Sequence, residues 1–163
     1  METKFFYNTQ NIDKNELFHV YHEGMQKNAE HYHEPLEEME KAHWEYLTDF
    51  LEKRSGFLAV LTDDEKYYAA LRVLPKGKQK FYCEAFEVLA EERGKGLGKK
   101  LYRDVIKHIS ENCEHFELEA HTWQTNTASI KSHLGVGFQI EKNYVVRDDG
   151  SKDDFGVTLC MKK

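Results

Sequence analysis

The chain has 163 residues, 40% hydrophobic and 13% aromatic, enough for one domain with a sizeable core and too apolar for a disordered segment. Its net charge of −6 argues against broad nucleic-acid binding, which needs Lys and Arg to displace phosphate counterions, and is compatible with a cationic partner such as an amine. No apolar run approaches the ~20 residues that span a bilayer, Met1 to Phe5 lack the basic start and apolar stretch of a secretion signal, and Cys83, Cys113 and Cys160 lack metal-site spacing; together these point to a reduced, cytoplasmic protein with no membrane partner.

Residues 3–9 read as a short strand. Asp13 with Glu16 three positions later has the arrangement of a capping box, and Leu17, Phe18, Val20, Tyr21 and Met25 then make a helical face. Residues 24–35 are polar and His-rich, and read as a loop or helix break. Pro35 suits a helix start; Leu36, Met39, Leu47, Phe50 and Leu51 form an amphipathic stripe that Gly56 closes. Residues 57–61 and 66–74 read as strands joined by a polar turn. A turn over 75–79 leads into a strand at 81–88. Leu97, Leu101, Val105 and Ile109, spaced four apart, mark a helix. Residues 116–120 read as a strand, 126–134 as a short helix, and 138–146 with 155–161 as a final hairpin joined by a charged loop. There is no internal repeat, low-complexity tract or linker.

The stretch Arg93-Gly94-Lys95-Gly96-Leu97-Gly98 stands out. It lies between a strand and a helix, a recurring way to hold a phosphate: glycines let the backbone approach, and first-turn N–H groups at the positive end of the helix dipole lack intrahelical partners. A Walker A loop needs four residues between its glycines and then Lys-Ser/Thr; Gly94 and Gly98 have three between them, and Lys99 is followed by Lys100. The dinucleotide fingerprint G-x-G-x-x-G is not met by Gly94, Gly96 and Gly98.

Arg93-x-x-Gly96-x-Gly98 resembles the acetyl-CoA-binding motif of the GNAT superfamily of N-acetyltransferases. Val88 ends the preceding strand five residues before Arg93, as in that family. Residues 126–138, from Asn126 through a helix to Gly137-Phe138, resemble its second signature. With the N-terminal pattern, the resemblance spans nearly the whole chain. It implies a mixed α/β sheet of order βααβββαβαββ in one domain, 1–163, whose parallel fourth and fifth strands splay apart to admit acetyl-CoA. It is also compatible with a homodimer, although no seam is legible.

The resemblance assigns roles. Arg93, Gly94, Lys95, Gly96, Leu97 and Gly98 would hold the pyrophosphate through backbone N–H groups. Lys95, Lys99 and Lys100 either add charge near the phosphates or form a solvated face. Phe86 and Val88 would run beside pantetheine, with the Val88 N–H polarising the acetyl carbonyl. The attacking amine must lose a proton, since an alkyl amine titrates near 10.4. Glu84 and Glu87 are the candidate bases, with Glu87 preferred because it adjoins Val88; the alternative is a structural ion pair. Strict alternation puts the two on opposite faces unless a bulge intervenes.

Many family members carry a Tyr seven residues after the Asn of the second signature; here the position is His133. It reads either as a substitute general acid or as a helix-surface histidine. Asn126 caps its helix or also bonds pantetheine. In this fold the connection between the first two helices often walls the acceptor pocket, which makes His22, Tyr32 and His33 substrate candidates. No further ligands accompany His31 and His33, so no metal is expected. Asp148, Asp149, Asp153 and Asp154 read either as a solvated hairpin tip or as amine-recruiting carboxylates. The implied activity is direct acetyl transfer to a primary amine of a small molecule or peptide. The alternatives are a non-catalytic CoA-binding sensor, or an acyltransferase using another acyl group or an oxygen acceptor.

Overall fold

Apolar residues every second position make strands, and every third or fourth make helices; the computed structural model, which describes residues 1–163, shows both in the expected succession. The elements are β1 (Glu2–Phe6), α1 (Lys14–Tyr32), α2 (Leu36–Lys53), β2 (Phe57–Thr62), β3 (Tyr67–Pro75), β4 (Lys80–Val88), α3 (Leu97–Ser110), β5 (Glu117–Trp123), α4 (Thr127–Val136), β6 (Gln139–Lys142), β7 (Val145–Val146), β8 (Lys152–Asp153) and β9 (Gly156–Lys162). A 3₁₀ turn at Ala90–Glu92 joins β4 to the glycine loop. One seven-stranded mixed sheet has the order β1-β2-β3-β4-β5-β9-β6, with β4 and β5 parallel; β7 and β8 form a separate ribbon. The chain divides into two units, residues 1–74 with 85–101 and residues 75–84 with 102–163.

In the first unit β1, β2 and β3 pair antiparallel, from Glu2↔Thr62 to Phe6↔Leu58 and from Phe57↔Val73 onward. All six residues of β2 are buried, as a strand covered on both faces requires. The Asp13 side chain caps α1 by accepting from the Glu16 N–H at 3.1 Å. Glu16 does not reach back to complete the box; its carboxylate accepts from the Tyr67 N–H (3.0 Å), while Tyr67 Oη accepts from the Asp13 N–H (2.9 Å). These two bonds tie α1 to β3.

Residues 24–32 depart from the loop reading: α1 runs unbroken to Tyr32. Leu17, Tyr21, Met25 and Ala29, four apart, are all buried, so the apolar seam carries the helix past Gly24, whose cost is only about 1 kcal/mol. The true stop is His33, in the left-handed conformation (φ 55°), whose N–H closes on Ala29 and Glu30. After α2 the left-handed residue is Ser55 (φ 58°) and not Gly56. Gly56 is small for another reason: a Cβ there would lie 2.1 Å from the Phe50 ring. The first strand is also shorter than read, ending at Phe6, since Asn8 turns the chain by accepting from the Gln10 N–H.

In the second unit the start of β4 pairs in parallel with β5, from Lys80↔Glu117 to Cys83↔Ala120. β9 pairs antiparallel with β5 along seven residues, Glu117↔Lys162 to Trp123↔Gly156, and with β6 on its other side. Tyr102, Val105, Leu118, Ala120, Phe138 and Leu159 are buried at its core. The expected final hairpin is broken. The stretch 138–146 divides into β6 and β7, and the charged loop contains β8, which pairs with β7 through Val145↔Asp153 and Val146↔Lys152. Gln124 fixes the ends of this ribbon: its Nε2 donates toward the carbonyls of Asn143 (2.8 Å), Asp154 (2.8 Å) and Gly156 (3.2 Å). Thr158 Oγ1 donates to the Tyr144 carbonyl at 2.6 Å.

Candidate active site

The end of β4 and the glycine loop lie in the first unit. Gly94 and Gly96 both have φ 81°, a backbone conformation that a side chain disfavours, and no other atom lies within 4 Å of where their Cβ atoms would stand. That open space beside a bare backbone fits a phosphate-bearing ligand. Gly98 is constrained differently: a Cβ there would come 2.6 Å from Phe86 Cζ, so α3 sits against the β4 side chain at this point. The Lys100 N–H is satisfied by the Gly96 carbonyl at 3.1 Å. The preceding first-turn amides, those of Leu97, Gly98 and Lys99, are the donors that a helix leaves without intrahelical partners.

Arg93 is a strut between this loop and the strand. Its Nε donates to the Val88 carbonyl (3.1 Å), and its terminal nitrogen pairs with Glu87 (3.4 Å) and with Glu23 of α1 (3.2 Å). Lys95 is paired with Glu92 at 2.9 Å, and Lys99 is exposed. Burial lifts the Glu87 carboxyl above its ordinary range of about 4.5; the Arg93 guanidinium opposes the shift and the Glu23 carboxylate adds to it. The carboxyl is thus a stronger base than a free glutamate.

Ala85, three residues before Val88, has φ 51°, left-handed inside a strand. Tyr21 Oη, on a buried side chain of α1, donates to the Ala85 carbonyl at 2.6 Å. A left-handed residue breaks two-residue alternation, so the argument for opposite faces does not carry across it to Glu84 and Glu87.

In the second unit Asn126 caps α4, its Oδ1 accepting from the Ser129 N–H at 3.1 Å. His133 is 3% exposed, so it is not a helix-surface residue. Its Nδ1 lies 2.7 Å from the Ser129 carbonyl, which only accepts, so Nδ1 carries the proton. Nε2 then accepts from Tyr102 Oη at 2.8 Å. The ring packs edge-on against Tyr102 and Phe138, and burial lowers its pKa, keeping it neutral.

His22, Tyr32 and His33 do not converge. They are exposed and strung along the last three turns of α1 and its cap, with His22 and Tyr32 ~15 Å apart along the helix axis. A cavity of about 600 Å³ lies instead in the second unit, on the face of β4 and β5 that carries Tyr82, Glu119, His121 and Trp123, under the β7–β8 ribbon. The sequence held a signal for it. Glu117, Glu119, His121 and Trp123 alternate with buried or half-buried Leu118, Ala120 and Thr122, giving a central strand one polar face. An interior strand with a polar face has that face left open by the helices.

A parallel pair, β4 and β5, within a mixed sheet, joined through a glycine loop that opens a helix, defines an α/β protein of mixed sheet. Residues 15–138 match the acetyltransferase (GNAT) family. The chain belongs to that family of acetyl-CoA-dependent N-acetyltransferases, with acetyl-CoA as its cofactor. A search of curated protein sequences found no match. Among solved structures, the fold is similar to PaiA N-acetyltransferase from Thermoplasma acidophilum in complex with coenzyme A (15% identity, all of both chains, TM-score 0.70). It is also similar to a ribosomal-protein-alanine N-acetyltransferase from Brucella melitensis (18% identity, 100% and 99% of the chains, TM-score 0.67). A third likeness is to an IAA acetyltransferase from Bacillus cereus (14% identity, 99% of each chain, TM-score 0.65). No helix is long and apolar enough to cross a membrane.

Proposed function

We propose that residues 1–163 act as one domain that moves the acetyl group of acetyl-CoA directly onto a primary amine of a small molecule or peptide. The observation that carries this reading is the Arg93 strut: one side chain joins a half-buried carboxylate, the end of β4 and the glycine loop. Acetyl-CoA supplies an acetyl group activated as a thioester. The backbone of Arg93, Gly94, Lys95, Gly96, Leu97 and Gly98 binds its pyrophosphate, with Lys99 adding charge. Phe86 and Val88 flank the pantetheine, and the Val88 N–H is the donor toward the acetyl carbonyl. Glu87 takes the proton of the incoming ammonium, directly or through a water; Glu84 is the second candidate.

His133 occupies the position where relatives carry Tyr. Its inward-facing nitrogens support a positioning role, holding α4 to Tyr102, rather than donation of a proton to the leaving thiolate. Asn126 sets the start of the same helix.

Thiol release from acetyl-CoA across a panel of amines tests the reading. Glu87→Gln is expected to lower kcat about 100-fold while leaving CoA affinity, by calorimetry, within about threefold. Because only ionised Glu87 accepts a proton, kcat/KM of the parent falls as pH drops through a pKa above 4.5, and the variant loses that limb. CoA binding without thiol release from any amine would leave a binding module in place of an enzyme.

A further inference from the structure

The cavity of the second unit has a wall whose charges say what it accepts. Three cations line it, and each is already matched. Lys76 pairs with Asp148 (2.8 Å), Lys80 with Glu119 (3.3 Å), and Arg147 with Asp153 (2.8 Å). Glu119 also meets the His121 imidazole at 3.0 Å. These charges sum to zero with His121 neutral. A polycation entering here would bring like charges to Lys76, Lys80 and Arg147. A simple anion meets the same cost from the three carboxylates. A ligand with one positive and one negative group avoids both, by inserting between the members of a loosely held pair. Lys76–Asp148 is that pair, since the Asp148 side chain is 82% exposed on the ribbon.

The other wall is aromatic. Tyr82 and His121 pack at a tilt with centroids 4.8 Å apart, and the Lys76 ammonium lies over the Tyr82 ring at 5.3 Å. Beyond them Trp123 is 57% exposed, with no side-chain partner, and Val146 of the ribbon is 49% exposed. An unpartnered indole at the edge of a charged cavity of this size offers an aromatic ligand a stacking face.

We propose that this cavity binds a free α-amino acid with an aromatic side chain: its ring on Trp123 and Val146, its carboxylate toward Lys76, and its ammonium toward the carboxylates of Asp148 and Glu119. This rests on the acetyltransferase reading above, for which it names the acceptor class, while the binding itself is testable without acetyl-CoA.

The test is calorimetry with L-phenylalanine, phenethylamine and spermidine, on the parent protein and on Trp123→Ala and Trp123→Phe. Trp123 is mostly exposed, so these variants are expected to fold, as circular dichroism will check. L-phenylalanine should bind saturably, phenethylamine about tenfold more weakly for want of a carboxylate, and spermidine not detectably. Trp123→Ala should weaken L-phenylalanine at least about tenfold, with Trp123→Phe recovering most of it. In a Trp44→Phe background, L-phenylalanine should change the Trp123 emission. Absence of saturable L-phenylalanine binding, spermidine binding as tight as L-phenylalanine, or indifference to Trp123→Ala would each overturn the proposal. Thiol release with the same amino acid is a separate readout: binding without release overturns the acceptor assignment and leaves ligand binding in the cavity standing, whereas the transfer reading falls only when no amine of the panel releases thiol.

Discussion

Ala85 carries a left-handed backbone that β-carbons disfavour, and the Tyr21 hydroxyl holds its carbonyl from α1. Ala85→Gly relaxes that strain at the expense of a more flexible unfolded chain, so its melting temperature should move by no more than ~4 °C. Ala85→Val adds branching where the conformation tolerates it least and should cost 2 kcal/mol or more, roughly 4–8 °C. Equal melting of the two variants would show that the strand does not depend on this residue. His43 makes a second prediction. It stacks on Tyr21 at 4.7 Å, its Nε2 is buried without a partner, and burial lowers its pKa from 6.5 to about 4, with Arg72 adding to the shift. The unfolded chain therefore takes up a proton first as pH falls. Stability is full above 6.5, declines through the window down to about 4, and the loss is at most ~3 kcal/mol. His133 shifts in the same direction. Thermal melts from pH 7.5 to 4.5 should fall less steeply in His43→Phe, which keeps an aromatic ring there; parallel curves would refute the assignment.

At the scale of elements, the glycine loop and the helix behind it separate two kinds of constraint. Gly94→Ala meets no neighbour in the free protein and pays only for its positive φ, about 1 kcal/mol. On the proposed function it should nonetheless lower CoA affinity at least about tenfold, because the added methyl would fill open space beside the loop backbone. Gly98→Ala presses on the Phe86 ring and should cost about 1–3 kcal/mol, offset in part by alanine's better helix propensity. Melting curves beside CoA titrations distinguish the two. Most of the elements were legible because stripes such as Leu97, Leu101, Val105 and Ile109 announce themselves locally. The continuation of α1 was not, because beyond Met25 the seam is carried by one methyl-sized residue, Ala29, among polar ones. β8 was not, because a two-residue strand has no period to read. The order of strands was not either: β4 and β5 are neighbours in the sheet but 28 residues separate them in the chain, and nothing local specifies that pairing. The glycine loop stands in one short stretch of sequence as a candidate anion site, whereas the wall around Trp123 is drawn from four separate stretches of chain.

Over the whole molecule, the three cysteines report on integrity. Cys83 is buried and its thiol is pushed up to about 12; Cys160 is buried, donates to Glu117 at 2.8 Å, and is likewise pushed up to about 12. Cys113 is half-buried in a turn. A thiol reagent at pH 8 should therefore modify Cys113 alone in the folded protein, and all three in denaturant; prompt labelling of Cys83 in buffer would contradict its burial. The Gln124 amide, finally, grips the ribbon at its two roots and nowhere between. Between those roots the ribbon is anchored again, where Val145 is buried against Gly156 and where Asp148 pairs with Lys76. The exposed residues 149–151 are therefore the part of the ribbon that can be exchanged with least disturbance to the fold beneath.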